Sequence, residues 1–178
     1  LATSLAFVSP ASAQAAQPCA ALAAVSIPAG AIGLPATGAV VTSAADTSTP
    51  ANGNFCKVLG AIHPVDPAAP DILFQLNLPA NWNSKALQMG GGGYNGRLVT
   101  GEDGRFPDPK KPLPLGQGYA TFGSDSGHET KPGEDAAAFA ANAEALRNFG
   151  GDQLKKTHDV AVFLIKQHYG QAPRRMYF

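Results

Sequence analysis

The alternation of apolar and polar residues is clearest in the middle of the chain. Every second position of residues 71–78 is apolar, namely Ile72, Phe74, Leu76 and Leu78. This period of two is typical of a half-buried β-strand. Residues 56–63 form a second apolar run, and the residues between the two runs, 64–70, begin and end with proline. We therefore predict that 56–63 and 71–78 pair through a turn.

Shorter apolar runs indicate further strands on both sides of this pair. They cover residues 39–42, 85–89 and 118–124, and a last strand begins at residue 174. The rest of residues 19–56 has little apolar periodicity, which predicts irregular chain. Because the sequence has 20 glycines and 15 prolines, we also expect extensive loops.

The last third of the chain follows a helical period. Residues 134–149 have acidic residues near their start, where the helix dipole favours them, and one apolar face formed by Phe139, Ala143 and Leu146. Residues 152–169 form a second predicted helix, which Gly170 is placed to end. Its stripe consists of Leu154, Thr157, Ala161, Leu164, Ile165 and His168.

The order of these elements predicts the α/β class. A β-rich first half is followed by a strand, two helices and another strand, an alternation that builds a sheet covered by helices. The last predicted strand starts at the end of the 178 residues. We therefore expect the chain to form the first part of a larger α/β sheet whose C-terminal half is absent from this sequence.

The charges exclude some classes of partner. Thirteen basic residues balance thirteen acidic ones, so no net field attracts nucleic acid or an anionic membrane. No stretch of about 20 apolar residues is present to span a bilayer. His158 and His168 are ten positions apart, whereas a helical metal pair needs a spacing of three or four. We predict no metal site in this segment.

The first residues resemble the end of an export signal. A short apolar run is followed by Ala11-Ser12-Ala13, the A-x-A pattern of a signal-peptidase site. We expect residues 1–13 to be a signal-peptide remnant and residues 14–178 to be the mature part of the chain. A disordered alanine-rich terminus is the alternative. Export would place the protein in a secreted or periplasmic compartment.

The two cysteines agree with export. Cys19 and Cys56 are present without a C-x-x-C pair, so a zinc site or a thioredoxin-like site has no support. A disulfide between them would close a loop worth about 4 kcal/mol in the chain-entropy model. Two buried free thiols are the alternative, and we predict the structural disulfide.

A run of four glycines, residues 90–93, carries the most chemical information. Backbone without side chains lets amide N–H groups face one cavity, as in a phosphate cradle, a dinucleotide crossover or an oxyanion hole. The run lacks the Gly-Lys-Ser/Thr sequence of a phosphate-binding loop, and no helical stripe follows Gly96, as a dinucleotide site requires. An oxyanion hole after a strand is the best match, and a flexible linker is the structural alternative.

The sequence contains no convincing nucleophile. Residues 123–127 resemble the G-x-S-x-G elbow, but Asp125 occupies the position of the serine. Asp125, Ser126 and His128 are residue types of a catalytic triad without assured hydrogen-bond reach. We expect them to form a hydrogen-bonded cluster that supports the floor of the site.

In this order the motifs resemble those of the tannase and feruloyl esterase family. The resemblance covers residues 19–178, and it is carried by Leu-Pro-Ala-Asn-Trp-Asn-Ser-Lys (78–85), Gly-Gly-Gly-Gly-Tyr-Asn-Gly (90–96), Ser-Asp-Ser-Gly-His (124–128) and the final Met-Tyr-Phe (176–178). Members of this family are secreted serine esterases with an α/β-hydrolase core and an inserted lid that usually holds calcium. They cleave esters of phenolic acids such as gallate and ferulate.

The resemblance implies roles for particular residues. Gly92, Gly93 and Tyr94 would form the oxyanion hole and the wall of the acyl site, and Cys19 and Cys56 would form the N-terminal disulfide. The serine, acid and base would follow Phe178, as would the lid with its structural calcium. No cofactor is implied for catalysis. Residues 14–178 would then be part of an α/β-hydrolase catalytic domain, inactive by itself.

The expected function is therefore hydrolysis of a small aromatic carboxylic ester through a serine acyl-enzyme. Two other functions stay open at this point. One is an exported, non-catalytic binding module for an aromatic or sugar ligand, and the other is a nucleotide-dependent enzyme that uses the glycine run.

Overall fold

The computed structural model describes residues 16–103 and 111–178, and a seven-stranded sheet runs through them. Its order is β1-β2-β3-β4-β6-β5-β7. The strands are β1 (Ser26–Pro28), β2 (Gly38–Thr49), β3 (Gly53–His63), β4 (Ile72–Pro79), β5 (Lys85–Gln88), β6 (Ala120–Ser124) and β7 (Arg175–Tyr177).

The sheet has an antiparallel part and a parallel part. Strands β1 to β4 pair in antiparallel fashion, and β4 continues antiparallel to β6. Strand β5 lies between β6 and β7 and is parallel to both. The carboxyl ends of these three strands therefore open at one edge, where α/β sheets generally place their ligand sites.

In the described residues, one short α-helix precedes β1, and two α-helices lie in the connection between β6 and β7. The described helices are α1 (Cys19–Leu22), α2 (Ala143–Arg147) and α3 (Gln153–Tyr169), with 3₁₀ turns at Ala29–Ala31 and Ala138–Ala141 and a π-helical turn at Asn148–Asp152. As predicted, α3 ends at Gly170, which has φ 73° and donates its N–H to Lys166 O at 2.9 Å.

The predicted central hairpin is confirmed. Phe55 pairs with Pro79 at one end of the β3–β4 ladder, and Ile62 pairs with Ile72 at the other. The predicted alternation is only partly observed, because Gln75 and Asn77 on the opposite face of β4 are also buried. Both faces of this strand are covered, so its polar side chains need internal partners. Gln75 Nε2 donates to Asn77 Oδ1 at 2.8 Å.

The prediction of irregular chain around 39–42 is wrong. Strand β2 extends to Thr49 and pairs with β3 along its whole length, apart from a register shift between Val41 and Ser43. Its outer half consists of small and hydroxyl side chains that are mostly half-buried or exposed. Such a strand is stabilised by its backbone ladder, and it therefore leaves little trace in the apolar pattern.

The predicted helix over 134–149 is also wrong. The α-helix there covers only Ala143–Arg147, because Asn142 caps it in an extended conformation and accepts the N–H groups of Glu144 and Ala145 at 2.9 Å. The buried residues of this segment are Glu144, Ala145 and Asn148, whereas the predicted face residue Leu146 is exposed.

A buried polar network explains why polar residues of this segment, and not Leu146, face the interior. The Lys156 side chain of α3 is fully buried, and its Nζ contacts Glu144 Oε1 at 3.4 Å and Asn148 Oδ1 at 2.9 Å. Glu144 also accepts the N–H groups of Val65 and Asp66. The network thus ties the turn between β3 and β4 to the helices.

The disulfide between Cys19 and Cys56 is present and joins α1 to β3, with 5.6 Å between the Cα atoms. It packs in the main core, which also contains Phe74, Phe122 and Leu164. The predicted signal segment 1–13 lies outside the described residues. Among the helices of the described residues, none is long and apolar enough to cross a membrane.

Candidate active site

The glycine run lies at the carboxyl edge of the parallel strands. Met89 donates its N–H to Phe122 O at 2.8 Å, and the chain then leaves the sheet. Residues 90–92 line a cavity of about 300 Å³ opposite Val99, Thr100, Gly101 and Asp103. A Cβ on Gly90 would lie 3.2 Å from Phe178 Cζ. The ring of Phe178, the residue after β7, therefore lies against the run.

A tight turn closes the run. Asn95 donates its N–H to Gly92 O at 3.0 Å, and Gly93, the second residue of this turn, has φ 60°. Asn95 itself has φ 55°, a left-handed conformation that asparagine tolerates better than most residues. Tyr94 is thereby presented at the tip of the turn, with 55% of its surface exposed.

The Asn95 side chain holds this loop against β6. Its Nδ2 donates to Ser126 Oγ at 2.8 Å and to Ser124 O at 3.2 Å. Its Oδ1 occupies the space in which a side chain of Gly91 would stand, since a Cβ there would lie only 1.8 Å from Oδ1. Gly91 must therefore be glycine, because any side chain at this position would collide with Asn95.

An aromatic cluster supports Tyr94 from behind. Its ring contacts Phe139 and Phe149, with centroid distances of 6.4 and 6.1 Å. His128 stacks on Phe139 at 3.9 Å and is itself 95% buried, since its exposed fraction is 5%. The glycine loop and the 124–128 segment therefore share one packed support.

Asp125 is a buried carboxyl group. Burial raises its pKa to about 7, against the hydrogen bonds that Oδ1 accepts from Gly127 N–H at 2.8 Å and Leu73 N–H at 3.1 Å. Glu129 adds a smaller effect in the same direction as burial. Near neutral pH this group therefore exchanges a proton.

The described residues do not assemble a triad from Asp125, Ser126 and His128. Ser126 Oγ accepts a hydrogen bond from Asn95, and no hydrogen bond joins the His128 ring to the side chain of Asp125 or Ser126 in the described residues. Burial lowers the pKa of His128, although the main chain of Tyr94 and Ser126 acts in the opposite direction. The imidazole packs within the aromatic cluster.

The predicted site residues are therefore divided between two sides of one loop. Gly92 lines the cavity described above, and Gly93 faces open space. Tyr94 lines a second cavity of about 510 Å³ together with Arg97 and Lys131. Their catalytic roles stay predictions. Sequence reasoning missed Asn95, for which the asparagine before Gly96 in a glycine-rich turn was the available signal.

Metal binding has no support in this part of the chain. Within 16–103 and 111–178, no group of three histidine, cysteine, aspartate or glutamate side chains could hold a metal ion. The calcium that the resemblance implies is expected in a lid beyond Phe178 and stays a prediction.

The parallel strands, the helical crossover from β6 to β7 and the glycine loop at the carboxyl edge of β5 define an α/β-hydrolase type of fold. Residues 56–178 match the family model described as tannase and feruloyl esterase, and the chain belongs to this family.

Two related proteins are named as an esterase and an ester hydrolase, in agreement with this assignment. An uncharacterized esterase of Agrobacterium fabrum is 52% identical over 165 residues, which is 90% of this chain and 30% of that protein. The mono(2-hydroxyethyl) terephthalate hydrolase of Piscinibacter sakaiensis is 27% identical, over 75% of this chain and 23% of the relative. The chain thus spans less than a third of the length of these relatives.

Solved structures share the fold. Feruloyl esterase B from Aspergillus oryzae superposes with a TM-score of 0.60 at 21% identity, over 78% of this chain and 28% of that one. Another esterase from the same organism gives a TM-score of 0.56 at 22% identity, over 84% of this chain and 31% of its own.

Proposed function

We propose that the protein containing this chain is a carboxylic ester hydrolase. The observation that carries the proposal is the position of residues 90–92, which leave β5 beside the end of β7 and line a cavity. Main-chain amides at such a place can stabilise the oxyanion formed when an ester carbonyl is attacked, and each donor is worth roughly 3–4 kcal/mol of barrier. Family membership and the esterase names of relatives support the same reaction.

The nucleophile of the proposed reaction is a serine that follows β7. In α/β-hydrolases the nucleophile lies in a sharp turn after a parallel strand, and its neighbour donates the second oxyanion N–H. Strand β7 pairs with β5 through Leu87 and Tyr177, so a residue just beyond Phe178 would face the glycine loop. The serine would form an acyl-enzyme, and the 178 residues alone would be inactive.

The proposed substrate is a small ester of an aromatic acid. The exposed Tyr94 ring, supported by Phe139 and Phe149, offers a flat apolar wall beside the loop. The names of two relatives, one a terephthalate monoester hydrolase and the other a feruloyl esterase, support aromatic acids as the acyl group.

Export and calcium form a second part of the proposal. The disulfide between Cys19 and Cys56 favours an oxidising compartment, secreted or periplasmic. A structural calcium would be held by residues other than those described here. Metal analysis of the purified full-length protein before and after chelation tests the proposed calcium. Absence of calcium would refute a structural calcium site.

The two other functions make different use of the same loop. A dinucleotide site needs a helix that opens at the last glycine, and no helix lies in 97–103 or 111–119. A non-catalytic binding module would bind an aromatic or sugar ligand without turnover.

The test is a hydrolysis assay of the full-length gene product on methyl gallate, methyl ferulate and a terephthalate monoester. We expect turnover of at least one of these esters and its loss when the serine after β7 is replaced by alanine. Binding without turnover of any ester would favour the binding module and contradict the proposal.

A further inference from the structure

The cavity on the Tyr94 side of the glycine loop has a chemistry of its own. It measures about 510 Å³ and is lined by Tyr94, Asn95, Arg97, Thr130, Lys131, Pro132 and Ala136. We call it the basic cavity, because its two charged lining residues are Arg97 and Lys131. It is separate from the cavity that residues 90–92 line.

The two cations of the basic cavity have no carboxylate partner within 4.0 Å in the described part of the chain. Among the described basic residues, Lys57, Lys155 and Lys156 are paired with carboxylates, whereas Arg97 and Lys131 are not. Arg97 and Lys131 are therefore available to an anion from outside. A guanidinium group is well suited to a carboxylate because it can donate two parallel hydrogen bonds.

The walls of the basic cavity are held together. Thr130 donates its N–H to Gly96 O at 3.1 Å, and a Cβ on Gly96 would lie 2.2 Å from Thr130 Oγ1. This close contact joins the segment that carries Lys131 to the loop that carries Arg97. The backbone positions of Arg97 and Lys131 are thereby held close to each other, while both side chains remain exposed.

Acidic side chains lie in a neighbouring, smaller cavity. Glu129, Glu134 and Asp135 line a space of about 160 Å³ beside His128 and Phe139. An anion is repelled there and attracted to the basic cavity. Lys131 also lines a third cavity of about 300 Å³ with Asp71, Asp125 and Glu129, whereas of these cavities Arg97 lines only the basic one. The charges therefore favour the Arg97 end of the basic cavity for a negatively charged group.

We propose that the basic cavity binds a carboxylate on the aromatic ring of the substrate's acyl group. This inference rests on the proposed ester hydrolysis and adds a substrate class to it, namely anionic aromatic acids. The ring of such a substrate packs on Tyr94, its ester carbonyl faces the glycine loop, and its carboxylate contacts Arg97 and Lys131.

The test compares two esters of similar shape on the full-length protein, monomethyl terephthalate and methyl 4-acetylbenzoate. The variants are Arg97→Gln, Lys131→Gln and the double variant, with the exposed helical residue Lys166→Gln as the matched loss of one positive charge. We expect kcat/KM for the anionic ester to fall about fivefold for each cation removed. The neutral ester should lose less than the anionic one in these variants, and the ratio of the two kcat/KM values should stay unchanged in Lys166→Gln.

Two outcomes would overturn the proposal. One is an anionic-to-neutral ratio that does not change in the double variant, and the other is a ratio that changes equally in Lys166→Gln. Equilibrium binding of terephthalate to the same proteins gives a readout that does not depend on turnover. Binding that the double variant loses supports the basic cavity even if no ester is hydrolysed, and absence of binding together with absence of turnover overturns both proposals.

Discussion

Asn95 contacts the glycine run and the end of β6 at the same time. Its amide nitrogen bonds to Ser124 O and Ser126 Oγ, while its oxygen fills the space beside Gly91. A side chain with both contacts fixes the height of the loop above the sheet. A shift of about 1 Å at such a position can cost up to a hundredfold in rate.

Replacing Asn95 by glycine tests this positioning role. Glycine keeps the left-handed φ of 55° and removes only the side-chain contacts. For the proposed ester hydrolysis, we expect kcat of the full-length protein to fall about tenfold with little change in KM, because the loss acts on the geometry of the transition state.

The matched control is Asn83→Gly. Asn83 also makes two side-chain hydrogen bonds, to Gln117 O and Lys85 N–H, but at the opposite edge of the sheet. An equal loss of kcat in the two variants, or none in Asn95→Gly, would contradict the positioning role.

Asp125 predicts a particular dependence of stability on pH. Because burial raises its pKa to about 7, the folded state binds a proton that the unfolded state has already released near pH 4. Its protonated form stabilises the fold at low pH, and this contribution is lost as pH rises from about 4 to about 7.

Asp125→Asn keeps an acceptor for Gly127 and Leu73 and does not titrate. From pH 5 to pH 8, the free energy of unfolding of the wild type should fall relative to that of the variant, by on the order of 3 kcal/mol. Denaturant unfolding at the two pH values measures it. A constant difference between the two proteins would show that Asp125 is not protonated in the folded state.

At the scale of elements, the link between β3 and α3 depends on Glu144. This carboxylate accepts the N–H groups of Val65 and Asp66 and faces the buried Lys156. Burial alone would raise the pKa of Glu144, but the two N–H groups and the ammonium outweigh it and lower the pKa. The turn after β3 is therefore attached to the helices by a charge.

Glu144→Ala should cost about 3–5 kcal/mol in the free energy of unfolding, because it leaves Lys156 buried without its partner. Chemical denaturation measures the loss. Glu134→Ala, at an exposed position of the same segment, is the control and should change stability little. Similar values for the two variants would show that the buried pair does not hold these elements.

The sequence predicted elements whose burial follows a simple period. The β3–β4 hairpin and the helix ending at Gly170 were predictable because apolar side chains alternate, or because glycine ends the helix in the left-handed conformation. Strand β2 and helix α2 were not, because a strand whose outer half consists of small polar residues and a helix with an inward-facing glutamate carry no apolar signal.

For the candidate site, sequence reasoning found the glycine run and the 124–128 segment but not their connection. The contacts of Asn95 with Ser124 and Ser126 join residues that are 29 and 31 positions apart in the sequence. Only the parallel pairing of β5 with β6 brings these segments together, and no local pattern records it. Arg97 and Lys131 were assigned no role for the same reason.

At the scale of the whole molecule, the stabilising disulfide and the candidate active site lie at different parts of the sheet. The disulfide and α1 stabilise the antiparallel side, while the carboxyl edge of β5, β6 and β7 carries the glycine loop, Asp125 and the basic cavity. A nucleophile after β7 would complete this edge. In the proposed hydrolysis, the site would combine the glycine loop with a serine beyond Phe178.

The most direct measurement is the position at which a fluorophosphonate labels the full-length protein. We predict one adduct, located by peptide mass spectrometry on a serine within about five residues after Phe178, together with loss of ester hydrolysis. An adduct on Ser124 or Ser126, or ester hydrolysis that persists without any adduct, would contradict the account.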